Sequence, residues 1–219
     1  MTVFLSTLVL WIVSLTLHEF AHARVAYSGG DVTVVDKGYL TLNPLRYLHP
    51  VMSIVLPLII LVIGGIPLPG GAVYIDHTRL RSKAWESAVS VAGPLANLAL
   101  FLLVGLAFKF GLVDTEDNTN TLAMTLAVFA YLQVLAFLLN MLPLPGLDGF
   151  GIIAPYLSYE IRQKSYELAN VGFILLIVML MFSPLGRTFF EIVQSLTGWL
   201  VPFDVLANGW LEFRTAIPR

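Results

Sequence analysis

The chain has 219 residues, of which 58% are hydrophobic and only 12% are charged, and its formal net charge is −2 at pH 7. Soluble domains usually carry about 25% charged residues, so this composition excludes an ordinary soluble domain and predicts a polytopic membrane protein. No basic run suggests a nucleic-acid partner, and the lack of cysteine excludes disulfides and all-cysteine metal sites, which leaves His, Asp and Glu as zinc ligands.

The first apolar segment begins at the N-terminus. No charged side chain occurs from Met1 to Leu17, and the apolar character continues to about Val25. Because a helical span needs about 20 mostly apolar residues, we predict a first transmembrane helix over Val3–Val25. A cleaved signal peptide is not expected, since the segment lacks a positively charged start and an obvious small-residue cleavage site.

The next two segments are not predicted to be simple spans. Residues 33–35 and 39–42 are short β-prone runs joined by a turn that contains Gly38, a pattern that predicts a small β-hairpin. Val51–Ile66 is apolar but short, is interrupted by Pro57 and ends in a glycine- and proline-rich run. Such interrupted segments are typical of re-entrant loops, so we predict that this one enters and leaves the membrane on the same side.

Further spans are predicted in the second half of the chain. Val89–Phe108 and Leu122–Leu142 are both long and apolar enough to cross a bilayer. After a polar segment around Tyr159–Glu167, Val171–Phe182 is expected to form part of another span. Residues 189–206 are a weaker sixth candidate that can instead lie at the membrane interface.

These segments predict an all-α polytopic membrane protein with about five to six transmembrane helices. A Gly-Pro pair at residues 93–94 is expected to break the helix over Val89–Phe108 near its start. We expect one integral membrane domain over residues 1–219, with a core at 3–153 and C-terminal helices at 167–206.

The distribution of charge predicts the orientation. Basic residues follow the first span and the Val51–Ile66 segment, and Arg162 and Lys164 follow the Leu122–Leu142 span, whereas the loop Asp114–Thr121 carries only acidic charges. By the positive-inside tendency the basic regions are cytoplasmic and the acidic loop is outside. This assignment requires the re-entrant path for Val51–Ile66.

Residues 18–22 read His-Glu-Phe-Ala-His and lie within the first predicted span. Ionisable groups inside a span are costly and are therefore expected to be functional. On a helix, His18 and His22 share one face, where two ring nitrogens can reach one metal ion, and Glu19 is placed to take a proton from an attacking water. The alternative is two histidines that are hydrogen-bonded within a helical bundle.

Catalytic zinc usually takes three protein ligands and leaves one position for water. The candidates for the third ligand are Asp148, His49, His77 and Asp76. Asp148 is preferred because it follows an apolar span in a segment shaped by proline and glycine and lies on the predicted cytoplasmic side, with the two histidines. Its alternative role is that of a turn residue before Gly149.

Three motifs, in order along the chain, are residues 18–22 (HEFAH), 93–97 (GPLAN) and 140–149 (NMLPLPGLDG). Together they resemble the three signatures of the site-2 protease family of intramembrane zinc metalloproteases, and residues 43–46 (NPLR) resemble a loop of its compact bacterial members. The resemblance extends from about Leu5 to Ile153.

The resemblance implies a specific site. It implies one Zn²⁺ per chain with His18, His22 and Asp148 as ligands, Glu19 as catalytic acid/base, and a buried cleft in which a substrate helix unwinds. Asn140 matches the asparagine of the third signature, where its amide could donate to a developing oxyanion or hold the substrate backbone. Hydrogen bonding between helices is an equally favoured role for Asn140.

Other positions are expected to have minor roles. Asn97 is expected to pack or to hydrogen-bond within the core, with Gly93 permitting close approach of helices. After residues 43–44 the family usually continues with a His-Ile-Asp-type sequence, but residues 47–50 read YLHP, so His49 remains unexplained. His77 is expected to be a solvated loop residue. The short connection between the second and third signatures indicates a compact form without PDZ or CBS domains.

The predicted function is a zinc-dependent intramembrane endopeptidase in the cell membrane, multi-pass, with its active site toward the cytoplasmic side. Its expected partners are the lipid bilayer and transmembrane-helix protein substrates, and the sequence does not indicate an oligomeric state. We hypothesise that a strand at residues 33–42 pairs with the unwound substrate and that residues 64–71 act as a flap. The alternatives are a non-proteolytic metal-binding membrane protein or transporter, and a catalytically inactive relative.

Overall fold

The computed structural model describes residues 1–46, 73–117 and 119–215, and none of these residues forms a β-strand. The predicted all-α architecture is therefore confirmed for the described part of the chain. Its α-helices are α1 (Thr2–Gly29), α2 (Thr33–Asp36), α3 (Lys83–Lys109), α4 (Thr121–Asn140), α5 (Asp148–Ile153), α6 (Tyr159–Glu167), α7 (Ala169–Phe182), α8 (Pro184–Thr197) and α9 (Phe203–Thr215).

Three of the described helices, α1, α3 and α4, are long and apolar enough to cross a membrane. A fourth candidate arises if α6 and α7, which are bent by 59° at their junction, form one broken span. By length and composition, the described residues thus hold three or four of the five to six predicted spans. The Val51–Ile66 segment, His49 and the glycine-rich residues 64–71 lie outside the described residues.

The helix α3 corrects one prediction, because it continues through Pro94 without a break. A proline removes one backbone donor from a helix, but neighbouring helices and hydroxyl side chains make this tolerable in membrane helices. The helix is capped at its N-terminus by Ser82, whose hydroxyl accepts a hydrogen bond from the backbone N–H of Trp85 at 3.4 Å.

The helix α1 is polar on its inner face and apolar on its outer face. Leu5, Val9 and Val13 are about half exposed, whereas Ser14 and His18 are buried. This is the reverse of a soluble helix and is the arrangement expected when the surroundings are lipid and the ionisable groups must turn inward. The central element is α4, which packs against α1, α3, α8 and α9.

The chain enters α3 at the same end of the bundle at which it leaves α1. The backbone N–H of Arg81 donates to the carbonyl of Gly29 at 3.0 Å. Gly29 also packs so closely on Leu80 and Trp85 that a Cβ there would lie 3.0 Å and 3.1 Å from their side chains. The C-terminal end of α1 and the N-terminal end of α3 therefore lie together. The predicted orientation requires this, because it puts the regions after the first span and before α3 on the same side of the membrane.

The β-hairpin predicted at residues 33–42 is wrong. The carboxylate of Asp31 accepts hydrogen bonds from the backbone N–H of Thr33 at 3.0 Å and from its hydroxyl at 2.6 Å. These bonds begin the short helix α2, because an Asp side chain that accepts from the residue two positions on starts a turn. Gly38, at φ 73°, then redirects the chain. The hypothesis of a substrate-pairing strand here loses its basis.

Residues 189–206 do not form a single spanning helix. The helix α8 ends at Thr197, and α9 begins at Phe203 after a connection that contains Pro202. The side chains of Val193 and Thr197 are fully buried, whereas Ile192 is 47% exposed. The segment is thus two helices, of which α8 packs one face on α4.

Candidate metal centre

Two imidazoles meet between α1 and α3. His18 and His22 lie one turn apart on α1, both are buried, and their Nε2 atoms face each other at 3.1 Å. The Nδ1 atom of His18 donates to Asn97 Oδ1 at 2.6 Å, and that of His22 donates to the carbonyl oxygen of Val89 at 2.7 Å. Because carbonyl oxygens can only accept, the Nδ1 atoms carry the protons and the Nε2 atoms present lone pairs.

Asp148 is brought to the histidines by the break between α4 and α5. The chain leaves α4 after Asn140, turns at Gly146, whose φ is 96°, and begins α5 at Asp148 itself. Gly149 allows α5 to pack directly on the end of α4, since a Cβ there would meet the backbone carbonyl oxygen of Met141. The turn and the close approach together fix the position of the carboxylate.

The helix α5 is also attached to α3. The hydroxyl of Ser87 donates to the carbonyl of Ile152 at 2.6 Å. Gly151 lies so near Ser90 that a Cβ at position 151 would meet the serine hydroxyl oxygen. Asp148 is therefore held by a helix that packs on α3 and on the turn that follows α4.

The three side chains fit a zinc ion. His18 Nε2 lies 3.2 Å from Asp148 Oδ2, and His22 Nε2 lies 3.4 Å from Asp148 Oδ1. Two lone pairs and a carboxylate that face one another in a buried site are stabilised by a cation among them. Ligand atoms at 2.0–2.1 Å on a tetrahedral zinc are about 3.3 Å apart. The two nitrogens, 3.1 Å apart, match this spacing, and each lies 3.2 or 3.4 Å from a different oxygen of the Asp148 carboxylate. A zinc ion held by both nitrogens and one of these oxygens would keep one corner of the tetrahedron open.

The backbone of α3 closes the site behind the histidines. A Cβ added at Gly93 would meet the Nε2 atoms of both His18 and His22. A side chain at this position would therefore occupy the space of the two nitrogen donors. The residue type at position 93 is thus fixed by the site, as well as by the packing of helices.

Glu19 lies beside the donor atoms in a cavity of about 290 Å³. Its side chain is buried, and the ionisable groups that act on it are His18, His22 and Asp148. The cavity extends to His77, whose side chain is 54% exposed, so water can reach the site. The other residues that line it are Leu15, Val73, Ile75, Val89, Ser90, Asn140, Gly146, Leu147 and Phe173.

Comparison with known proteins identifies relatives over most of the chain. "Putative zinc metalloprotease Rip2" of Mycolicibacterium smegmatis is 44% identical over 208 residues, which cover 94% of this chain and 76% of the relative. The protein of the same name from Mycobacterium tuberculosis is 41% identical over 194 residues, which cover 89% and 73%. "Putative zinc metalloprotease YwhC" of Bacillus subtilis is 37% identical over 182 residues, which cover 80% and 79%.

The chain belongs to the site-2 protease family. No protein-family model matches it, and no solved structure matches it. The names of its relatives imply Zn²⁺ as the metal, and the buried group of His18, His22 and Asp148 could bind one such ion.

The third family signature, residues 140–149, contributes two polar side chains to the cavity. Besides Asp148, the side chain of Asn140 lines it and is 8% exposed. Within the described part of the chain the Asn140 amide makes no hydrogen bond, so the expected alternative of bonding between helices has no partner there. The amide is available to a bound peptide.

The other candidate ligands are placed elsewhere. Hydrogen bonds from Thr78 and Arg79 hold the pKa of Asp76 below its usual value, and Asp76 caps the 3₁₀ helix His77–Arg79. His77 lies at the mouth of the cavity with its Nδ1 atom 3.6 Å from Glu86 Oε2. Among the described residues, His18, His22 and Asp148 are the one set of three or more such side chains placed to share a metal ion.

The polar residues behind His18 were not predicted as part of the site. Asn97 was expected only to pack or hydrogen-bond in the core, yet it contacts a histidine directly, and Gln133 and Ser14 contact Asn97 in turn. The sequence does contain an indication of this group, because Gln133 is a strongly polar residue in the middle of an apolar span, where polar groups usually have a function.

Proposed function

We propose that the chain is a zinc-dependent intramembrane endopeptidase. In this proposal His18, His22 and Asp148 hold one zinc ion, and Glu19 is the general acid/base. The main supporting observation is the pair of imidazole nitrogens 3.1 Å apart, each with one oxygen of the Asp148 carboxylate at 3.2 or 3.4 Å, beside the buried Glu19 in a cavity between apolar helices. Membership of the site-2 protease family supports the same reaction.

The depth of the motif supports cleavage within the membrane. At 1.5 Å per residue, His18 and His22 lie about 4 Å and 10 Å beyond the midpoint of α1. The hydrocarbon core extends about 15 Å to either side of its centre. If α1 is centred in the bilayer, the site therefore lies at hydrocarbon depth, displaced toward the end at which α1 finishes and α3 begins.

The charge bias supports a cytoplasmic position for that end in a multi-pass protein of the cell membrane. The loop between α3 and α4 contains Asp114, Glu116 and Asp117 and no Lys or Arg. At the opposite end, Arg79, Arg81 and other basic residues flank the start of α3. The positive-inside tendency then places the start of α3, and with it the site, on the cytoplasmic side.

Each residue has one chemical task. Zinc bound at the site supplies Lewis-acid activation of water and of the peptide carbonyl. Glu19 takes the proton from the attacking water and returns it to the leaving amine. Asn140 donates its amide to the carbonyl oxygen or to the neighbouring backbone of the substrate. A helical substrate must unwind locally first, because its carbonyls are otherwise bonded within its own helix.

Replacement of Glu19 by Gln tests the proposal. The test uses single-span reporters, each a transmembrane helix between two soluble tags, co-expressed with the enzyme. Glu19→Gln is expected to keep zinc and to lose cleavage by about 10²–10⁴-fold, since it removes the acid/base alone. The control is Glu191→Gln, the same chemical change at an exposed position on α8. Both variants are assayed by tag separation, by mass spectrometry of the new termini and by metal content.

The outcomes separate protease from transporter. A zinc transporter needs no base beside its ligands. The proposal would be contradicted if the wild type cut no reporter and if zinc flux into vesicles were unchanged by Glu19→Gln. Equal cleavage by wild type and Glu19→Gln would remove Glu19 from the mechanism. Loss of zinc in Glu19→Gln would show that the carboxylate is a ligand and not the base.

A further inference from the structure

Behind the metal centre, on the side away from the cavity, three polar side chains form a closed hydrogen-bonded group. The Asn97 Nδ2 atom donates to Gln133 Oε1 at 2.8 Å and to Ser14 Oγ at 3.2 Å, and Ser14 Oγ donates to the same Gln133 oxygen at 2.7 Å. These residues come from α3, α4 and α1 respectively, and each is 5% exposed or less. The group joins all three long helices at the depth of the metal site.

We propose that Gln133 is a positioning residue for the zinc site, acting through Asn97 on His18. It touches neither metal nor substrate. Its amide oxygen accepts from Asn97, which directs the Asn97 oxygen toward His18 Nδ1. The inference rests on the proposed zinc site and assigns a function to a residue outside the three family signatures.

The two ends of the Asn97 amide have opposite roles in hydrogen bonding. An amide oxygen only accepts, and an amide nitrogen only donates. With its oxygen toward His18, Asn97 keeps the ring proton on Nδ1 and leaves Nε2 free to bind metal. With the amide turned over, its N–H would face Nδ1, the ring proton would move to Nε2, and His18 could not be a ligand. The orientation of Asn97 therefore selects the tautomer of His18.

Gln133 makes the turned-over state unfavourable. Its Oε1 atom already receives hydrogen bonds from Ser14 and Asn97, so with Gln133 in this orientation a reversed Asn97 would place two acceptor oxygens 2.8 Å apart. Turning the Gln133 amide over as well would take from the Ser14 hydroxyl the oxygen to which it donates here. Water can do little to bridge these two oxygens, because the cavity beside this group has a volume of about 10 Å³, which holds about one water. Partners that orient metal-binding histidines typically change metal affinity 10–100-fold when they are removed.

The test compares Gln133→Met with Gln133→Glu in the full chain. Methionine has a similar length but only a weakly accepting sulfur in place of the amide oxygen, so we expect zinc affinity, measured by competition with a chelator, to fall about 10-fold. Glutamate keeps the shape and a carbonyl acceptor, so its zinc affinity is expected to stay close to that of the wild type. Thermal unfolding of the metal-free proteins is recorded for each variant.

The matched control is Thr125→Val. Thr125 lies on the same helix and is equally buried, and its hydroxyl donates only to the carbonyl of Thr121 at 2.7 Å. This variant is expected to bind zinc as the wild type does. A loss of affinity that is equal in Gln133→Met and Thr125→Val would reflect general loosening of α4 and would overturn the proposal.

The remaining outcomes are decisive as well. A folded Gln133→Met variant that binds zinc as tightly as the wild type overturns the positioning role and leaves the proposed protease intact. If Gln133→Met does not fold, Ser14→Ala decides, since it removes the donor that holds Gln133: weaker zinc binding supports the proposal and unchanged binding overturns it. A wild type that binds no zinc overturns both this inference and the proposed function.

Discussion

Replacement of Gly93 by alanine is expected to remove zinc from the protein. A Cβ at position 93 would lie 2.5 Å from His18 Nε2 and still closer to His22 Nε2, whereas ordinary van der Waals contact begins at 3.4 Å. The His18 nitrogen would thus have to move by about 0.9 Å. Metal–ligand distances in working sites hold within about 0.2 Å, so at least one histidine would cease to be a ligand.

The size of the effect follows from losing one ligand of three. We expect zinc affinity to fall by at least about 100-fold, at the upper end of what outer-shell changes alone produce. The overpacking is also expected to lower the free energy of unfolding of the metal-free protein by about 1–3 kcal/mol. Zinc affinity is measured by chelator competition, and stability is measured by thermal unfolding in the same detergent.

Gly105→Ala provides the matched control on the same helix. Its Cβ would lie 2.6 Å from Leu200 Cδ1, so it is overpacked to a similar degree, but it is remote from the metal site. Gly105→Ala is therefore expected to lose stability and to keep zinc. A folded Gly93→Ala variant that retains wild-type zinc affinity, or equal zinc loss in both variants, would show that the lack of a side chain at position 93 is not what keeps the two histidines in place.

Two further predictions concern α5 and the cavity. In Gly149→Ala, the new Cβ would clash with the carbonyl oxygens of Met141 and Leu142 and displace Asp148, so zinc affinity should fall about 10-fold or more. The control is Gly172→Ala, whose Cβ meets nothing within 4 Å and which should bind zinc normally in the same competition assay. Asn140→Ala should keep zinc and thermal stability but cleave reporters about 10²–10³-fold more slowly; a loss of stability with full cleavage would instead indicate a structural hydrogen bond.

The apolar spans were predictable because length and hydropathy determine which helices can cross a bilayer. Val3–Val25, Val89–Phe108 and Leu122–Leu142 were each placed within a few residues of α1, α3 and α4. Spacing alone placed His18 and His22 on one face of a helix, and the requirement for a third ligand at matching depth led to Asp148.

Local sequence patterns were less informative where a single side chain determines the conformation of the backbone. The β-prone run at residues 33–35 became a helical turn because Asp31, outside that run, accepts from Thr33. The Gly-Pro pair at 93–94 suggested a broken helix, but the packing of α3 on α1 keeps it continuous, and Gly93 serves the metal site instead. Such contacts depend on tertiary structure.

The partners of the histidines could not be read from the sequence either. Which of several polar residues in the spans faces His18 depends on the rotation and depth of three helices, and these follow from packing. Asn97 reaches His18 Nδ1, whereas the partner of His22 is the backbone carbonyl of Val89, which carries no signal in the residue type.

The metal content of purified wild type beside Asp148→Ala tests whether these three side chains hold zinc. We expect one zinc per chain in the wild type and little zinc in the variant, because two imidazoles without the carboxylate lack the third ligand that catalytic zinc sites usually have. A folded Asp148→Ala protein that retains a full equivalent of zinc would show that Asp148 is not a ligand.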